Sequence, residues 1–215
     1  MEYVIVVFIM LAACFTQTVS GFGSALVAVP VLMPLLDTAP GLQRAVPLMV
    51  LVAGTLQLVL LFRLRASLSL RAVWVLVLPS LLAVYPGMRL AALAPRRVVL
   101  TVLGILVTAY ALYALGRPRM PSLRSRWWAV LAGTLSGLIG GAYSTNGPPV
   151  IVYGSCRRWS PAEFKGNLQA FFSINNVMIL ASHWWDGNLT PQVFKYYAAS
   201  LPSIALGILA GALLE

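Results

Sequence analysis

Two clusters of small and polar residues interrupt otherwise apolar sequence, one at Ser20-Gly21-Phe22-Gly23 and one between Gly140 and Pro149, which holds Gly140, Gly141, Ser144, Thr145, Asn146, Gly147, Pro148 and Pro149. Thr16 and Gln17 precede the first and Ser24 follows it, and Ser136 and Gly137 precede the second. Glycine and proline at this density interrupt a helix. Unwound backbone at bilayer depth is tolerated only where it is buried in protein or lines a cavity. A half-helix restarting after such a break presents free N–H groups and the positive end of its dipole, which together bind anions. The chemistry on offer is non-covalent recognition of a small anion. Its candidate residues are Gln17, Ser20, Gly21, Gly23 and Ser24 at one break, and Ser136, Gly140, Thr145, Asn146 and Gly147 at the other. Close helix packing through small residues accounts for the same glycines, so both readings stand at this point.

Gln169, with Asn167, Ser173, Asn175 and Asn176, forms a further polar cluster inside an apolar run. Amides there face a bundle interior, either to contact a substrate or to bond one helix to another. Arg44 and Lys165 stand near the starts of two corresponding runs and are candidate anion-attracting groups at a pore entrance, or side chains that snorkel to the interface. The acids are Glu2, Asp37, Glu163, Asp186 and Glu215, all at segment ends or in gaps. An interior without acids favours an anionic over a cationic ligand. His183, the single histidine, adjoins Trp184-Trp185 and is assigned, with Trp127 and Trp128, to an aromatic belt at the membrane interface. No nucleophile–base–acid set, metal-ligand cluster or phosphate-binding Gly-rich loop is legible, so no catalytic residue, metal or cofactor is expected. Cys14 lies in an apolar run and Cys156 in a basic gap, an unpromising pair for a disulfide.

The elements that hold these residues follow from composition. Of 215 residues, 60% are hydrophobic and 9% charged, far below the roughly 25% charged residues of a soluble domain. Apolar runs cover 3–36, 44–62, 72–88, 98–115, 127–154, 164–185 and 193–214. They are too long and too uniformly apolar for barrel strands, which leaves helices. The net charge of +10 would suggest nucleic acid in a soluble protein. Here the Lys and Arg residues fall almost entirely in the gaps between runs or at their first residues, as in cytoplasmic loops, and no nucleic-acid partner is expected. Leu11-Ala12-Ala13-Cys14 resembles a lipoprotein cleavage box, but Met1-Glu2 lacks the basic residues of a signal peptide. The first run is taken as a retained membrane segment.

The first and fifth runs resemble each other, each with a glycine-rich break followed by Pro30 or Pro148-Pro149, and Arg44 parallels Lys165 as Pro79 parallels Pro202. The offset stays at about 120 residues, the pattern of an internal duplication. The repeats are assigned to residues 1–116 and 127–215, the second lacking a last span. If the broken runs enter and leave on one face, the gaps 63–71, 117–126 and 155–165 share a side. That side then carries Arg63, Arg65, Arg71, Arg117, Arg119, Arg124, Arg126, Arg157, Arg158 and Lys165, and the other only Arg44, Arg89, Arg96, Arg97 and Lys195. This arrangement satisfies the positive-inside rule, leaves an odd number of crossings per repeat, and so makes the repeats inverted with the N-terminus outside. The expected fold is an all-α polytopic membrane bundle with two inverted repeats and broken re-entrant helices.

The paired motifs Gln17-Thr18-Val19-Ser20-Gly21-Phe22-Gly23 with Val29-Pro30, Ser136-Gly137-Leu138-Ile139-Gly140-Gly141 with Asn146-Gly147-Pro148-Pro149, and Phe164-Lys165-Gly166-Asn167-Leu168-Gln169-Ala170-Phe171-Phe172 resemble the TauE/SafE family, sulfite-exporter-like membrane transporters. The resemblance spans nearly the whole chain and implies a duplicated bundle moving sulfite or organosulfonates. The functional expectation is a secondary carrier of small anions working by alternating access in a bacterial-type inner membrane. An anion channel or a non-transporting assembly subunit is the alternative. The expected partners are a small anionic substrate and the lipid bilayer, with a homo-oligomer allowed.

Overall fold

The computed structural model describes residues 2–38, 43–64, 69–116, 122 and 125–213, without the side chains of 64, 70 and 71. Arg65, Arg117, Arg119, Arg124 and Glu215 lie outside these residues. Every regular element among the described residues is helical: α1 (Glu2–Ser20), α2 (Ser24–Leu36), α3 (Ala45–Leu64), α4 (Leu70–Leu93), α5 (Arg96–Gly116), α6 (Trp127–Tyr143), α7 (Gly147–Cys156), α8 (Pro161–Trp185) and α9 (Pro191–Ala212). Five of them, α1, α3, α4, α5 and α9, are long and apolar enough to cross a membrane. Leu82, Leu115, Phe62 and Leu93 are more than 70% exposed, an outer surface that water would not tolerate and lipid would. The chain is a membrane helix bundle.

Hydrogen bonds and close approaches fix the direction of each helix. Gln192 donates to the Tyr3 hydroxyl at 3.0 Å, Tyr196 to Glu2 at 2.7 Å and Ser203 to the Val7 carbonyl at 2.8 Å, while Gly211 lies against Thr18. Thus α1 and α9 run parallel. α4 runs parallel to α8, through Ser69–Asn167 at 2.9 Å, Ser80–Asn175 at 2.5 Å and Arg89–Asp186 at 3.3 Å. α4 also runs parallel to α6, where Gly133, Gly137 and Gly141 lie against Leu76, Ser80 and Val84 in turn. α5 is antiparallel to α2, with Arg96 on the Pro34 carbonyl at 3.4 Å and Tyr110 edge-on to Phe22. Asn188 donates to Gln43 at 3.4 Å, which brings the end of α8 to the start of α3.

The ends of the broken pairs follow. α1 starts and α2 finishes at one end of the bundle, called here the Glu2 end. α6 starts and α7 finishes at the other, the Arg126 end, where Ser69, Arg126 and Arg157 line one cleft. Each pair is a hairpin, and the two open in opposite directions. α1 of 19 residues is about 28 Å long and α2 of 13 about 20 Å, so the first turn lies deep within the bundle. Asp37, at the end of α2, is 8% exposed and accepts the N–H groups of Arg44 at 2.7 Å and Ala45 at 3.1 Å, which ties the end of α2 to the start of α3. Burial raises its carboxyl pKa, against those two hydrogen bonds.

Three expectations change in detail. The second break lies at Ser144–Asn146, and Gly140 and Gly141 are inside α6. Gly141 has no room for a side chain because the Val84 carbonyl occupies the space, so it serves packing and not unwinding. His183 is not part of an interface belt: it is 1% exposed and its Nδ1 lies 3.2 Å from Asn188, whereas Trp184 and Trp185 beside it are 70% and 86% exposed. Cys156 closes α7 and is buried, as is Cys14, and both are free thiols.

Candidate functional site

The first break is a sharp reversal that two glycines make possible. Gly21 (φ +81) and Gly23 (φ +100) occupy the left-handed region, where a Cβ is costly. Gly21 N–H bonds to the Gln17 carbonyl at 2.8 Å and terminates α1. Ser20 Oγ lies 2.6 Å from the carbonyl oxygens of both Thr16 and Phe22 and pins the turn. The Gly21 carbonyl accepts from Gln169 Nε2 at 2.6 Å, and the Lys165 stem packs on Gly21. The turn is therefore clamped to α8. The second break is closed by Ser144, a non-glycine residue at φ 55, whose N–H reaches the Gly140 carbonyl at 2.7 Å. Ser136 donates to the Asn146 carbonyl, and Thr145 to the Tyr143 carbonyl at 3.0 Å. Gly140 leaves space for Asn146, whose Cβ would come 2.9 Å from a methyl group there.

The two turns meet inside the bundle. Gln17, Gly23, Ser24, Ala25 and Leu26 of the first hairpin face Ser144, Thr145, Asn146 and Gly147 of the second across one small cavity, with Ala53, Gln57 and Phe172 completing the wall. Its volume of about 20 Å³ holds one water-sized group. The lining polar residues are almost wholly shielded from solvent, Gln17 at 2%, Ser24 at 2% and Gln57 at 6%. Gln17 Oε1 accepts from Ser24 Oγ, which leaves Gln17 Nε2 buried without a hydrogen-bond partner. Gln57 Oε1 is in the same condition. Unmatched buried polar atoms each cost about 1–3 kcal/mol, and both of these belong to residues on the wall of one cavity.

The two helix N-termini are not equivalent as donors. α2 begins with Ser24, Ala25 and Leu26, no side chain caps it, and its first backbone bond runs from Val27 to the Gly23 carbonyl at 3.1 Å. Three N–H groups therefore lack intrahelical acceptors, and they belong to residues on the cavity wall. α7 begins Gly147-Pro148-Pro149, and its prolines have no N–H to give. The α2 terminus therefore offers the cavity more free backbone donors than α7, which has one N–H and its dipole.

Of the sequence candidates, Gln17, Gly23, Ser24, Thr145, Asn146 and Gly147 line the cavity, while Gly21 and Ser20 shape the turn behind it. Ser136 and Gly140 support the second turn from within α6. Gln169 and Lys165 hold the first turn from α8. Arg44 is not brought there: it stands at the Glu2 end beside Asp37. Asn175 and Asn176 bond the Phe171 carbonyl of their own helix at 2.9 Å and the Val50 carbonyl of α3 at 3.1 Å, the structural alternative for that cluster. Gln57 was not among the candidates, because it stands alone in α3 away from either break. From the Glu2 end a cavity of about 570 Å³, walled by Asp37, Gln43, Arg96 and Met88, reaches Gly141 and Ala142, just short of the second turn.

Residues 6–214 match the family described as Sulfite exporter TauE/SafE. No curated protein and no solved structure matches the chain. The match covers nearly the whole chain, which therefore belongs to the TauE/SafE sulfite exporter family, a family of multi-pass membrane transporters.

Proposed function

We propose that this TauE/SafE member is a secondary carrier for a small sulfur oxyanion, sulfite or an organosulfonate, that binds between the two helix breaks. The observation that carries this is the cavity shared by both turns, with the uncapped α2 N-terminus and the unpartnered Gln17 Nε2 on its wall. Neutral donors and a helix dipole can hold a monoanion without a buried cation. At about 20 Å³ the cavity has room for one water-sized group and not for such an anion, so binding needs the turns to part. Alternating access follows if the hairpin α1–α2 and the hairpin α6–α7 move relative to each other.

The same reading takes residues 1–116 and 127–215 as inverted repeats, with α1 to α4 corresponding to α6 to α9. It is supported by the pairing of helices: α4 lies parallel on α6 as α9 lies parallel on α1, and each hairpin opens to its own end. The Arg126 end then faces the cytoplasm of an inner membrane, and the N-terminus the outside. The direct test is a thermal-shift series on the purified protein with small anions. A ligand at one hundred times its Kd adds about 2.7 kcal/mol of stability. Stabilisation by sulfite or sulfonates supports the assignment, and stabilisation only by cations or neutral solutes rejects it.

A further inference from the structure

A serine inside a helix has a ready acceptor in the carbonyl four residues back. Ser155, Ser182 and Ser200 use it, at 2.9, 2.9 and 2.8 Å. Ser173 of α8 does not, and its Oγ is buried without a hydrogen-bond partner. The helix register places it. Asn176 donates to the Val50 carbonyl at 3.1 Å, Gly54 lies against the Asn176 amide, and α8 ends where α3 starts, so the two helices are antiparallel. One turn back along α8 and one turn on along α3, Ser173 comes level with Gln57. Its neighbour Phe172 shares the central cavity wall with Gln57, whose Oε1 is also buried without a partner. A further turn toward the start of α8, about 6 Å on, Gln169 gives its Nε2 to the Gly21 carbonyl at 2.6 Å, while its Oε1 is buried and unpartnered. Gln169, Ser173 and Asn176 keep the i, i+4, i+7 spacing of one stripe on a helix. Asn176 is spent on the bond to α3; Ser173 Oγ and Gln169 Oε1 are not.

The hairpin α1–α2 opens toward the Glu2 end, so its turn points toward the Arg126 end, and Gln169 clasps that turn about 12 Å from the start of α8. We propose that the passage from the central cavity to the Arg126 end follows this stripe of α8 along its seam with α3, and that Gln169 is the gate, held shut by its hydrogen bond to Gly21; this rests on the cavity being the substrate site. In the shut arrangement the Gln169 NH₂ serves the turn. When the hairpin moves off α8, the same NH₂ is released to an oxyanion, and the Ser173 hydroxyl is the next donor toward the cavity. Both groups are neutral, so they hold an anion weakly enough to let it pass. Buried polar atoms without partners cost about 1–3 kcal/mol each, and folded proteins keep few of them. A parted seam gives Gln57, Ser173 and Gln169 partners in water or in the anion. From the opposite end, the cavity of about 570 Å³ already reaches Gly141 and Ala142, just short of the second turn. One approach open and the other shut is the arrangement that alternating access requires.

The test is the rate at which sulfonatoethyl methanethiosulfonate, an impermeant anionic thiol reagent, reaches the thiol introduced by Ser173→Cys in the full-length protein in membrane vesicles. Ser125→Cys marks the side of the Arg126 end, and the wild-type chain, whose Cys14 and Cys156 are buried, gives the background. With Gln169 in place the introduced thiol should react slowly. Adding Gln169→Ala should raise its rate from the Arg126 side at least tenfold and leave the rate from the Glu2 side unchanged. Gln169→Asn, one methylene short of the Gly21 carbonyl, should act in the same way and serves if the alanine variant does not fold. Leu168→Cys, at a fully buried position on the adjoining face of α8, should stay unreactive with or without the change at Gln169. Equal rates from the Arg126 side with Gln169 intact and replaced overturn the proposal. A rise shared by Leu168→Cys also overturns it, since α8 as a whole has then loosened. The rates are read without added anion, so a failure of the gate is distinct from a failure of the sulfite assignment, which is read from flux through the wild-type protein.

Discussion

At the scale of single residues, the site is defined by groups left without partners. Gln17 Nε2 and Gln57 Oε1 are buried on one cavity wall, and an amide flip lets either residue present its NH₂ to an anion. A hydrogen bond to a charged group contributes about 1.5–3 kcal/mol. Gln17→Ala is therefore expected to weaken sulfite binding by roughly ten- to a hundred-fold, read as a smaller ligand-induced thermal shift in a protein that still folds. Gln57→Leu is expected to act in the same direction. Ser144 is a different case, a non-glycine residue in the left-handed region. Such strain gathers at functional turns, and Ser144→Gly should raise unliganded stability by about 1 kcal/mol, measurable as a higher thermal midpoint. Gln17 was legible in the sequence because it stands beside a break. Gln57 was not, since nothing local distinguishes a cavity-facing amide in α3 from one that bonds a neighbouring helix, the role Asn176 turns out to play.

At the scale of elements, glycine has two uses that sequence alone confounds. Both depend on the missing Cβ. Gly21 and Gly23 use it for positive φ, and they break the helix as expected. Gly133, Gly137 and Gly141 use it for contact, and they form the seam along which α6 meets α4. Gly140-Gly141 looked like part of a break for this reason, while the actual interruption is Ser144–Asn146, closed by the proline pair that restarts α7. Gly137→Ala drives a methyl group into the Ser80 carbonyl and should lower stability by about 1–3 kcal/mol, the usual cost of overpacking. Gly104→Ala in α5 meets nothing within 4 Å and should be neutral or stabilising by up to about 1 kcal/mol. Thermal unfolding of the two variants side by side checks both signs. Equal effects would mean that α4 and α6 are not in close contact.

At the scale of the whole molecule, the membrane class, the seven apolar runs and both hairpins were readable from hydropathy and charge, because a bilayer imposes its length and polarity on every crossing segment. Helix partners were not, since which small residues meet is decided by packing across long sequence separations. The orientation is open to test with introduced cysteines, because Cys14 and Cys156 are buried. A membrane-impermeant maleimide applied to intact cells should label Pro191→Cys at the Glu2 end and spare Ser125→Cys at the Arg126 end. The reverse pattern would invert the assigned topology. The central claim, that a small sulfur oxyanion passes between the two broken helices, is met most directly by flux of radiolabelled sulfite in proteoliposomes. The account requires saturable exchange that Gln17→Ala reduces at least tenfold in kcat/KM. Absence of flux for sulfite and sulfonates, or a current that does not saturate, would contradict it.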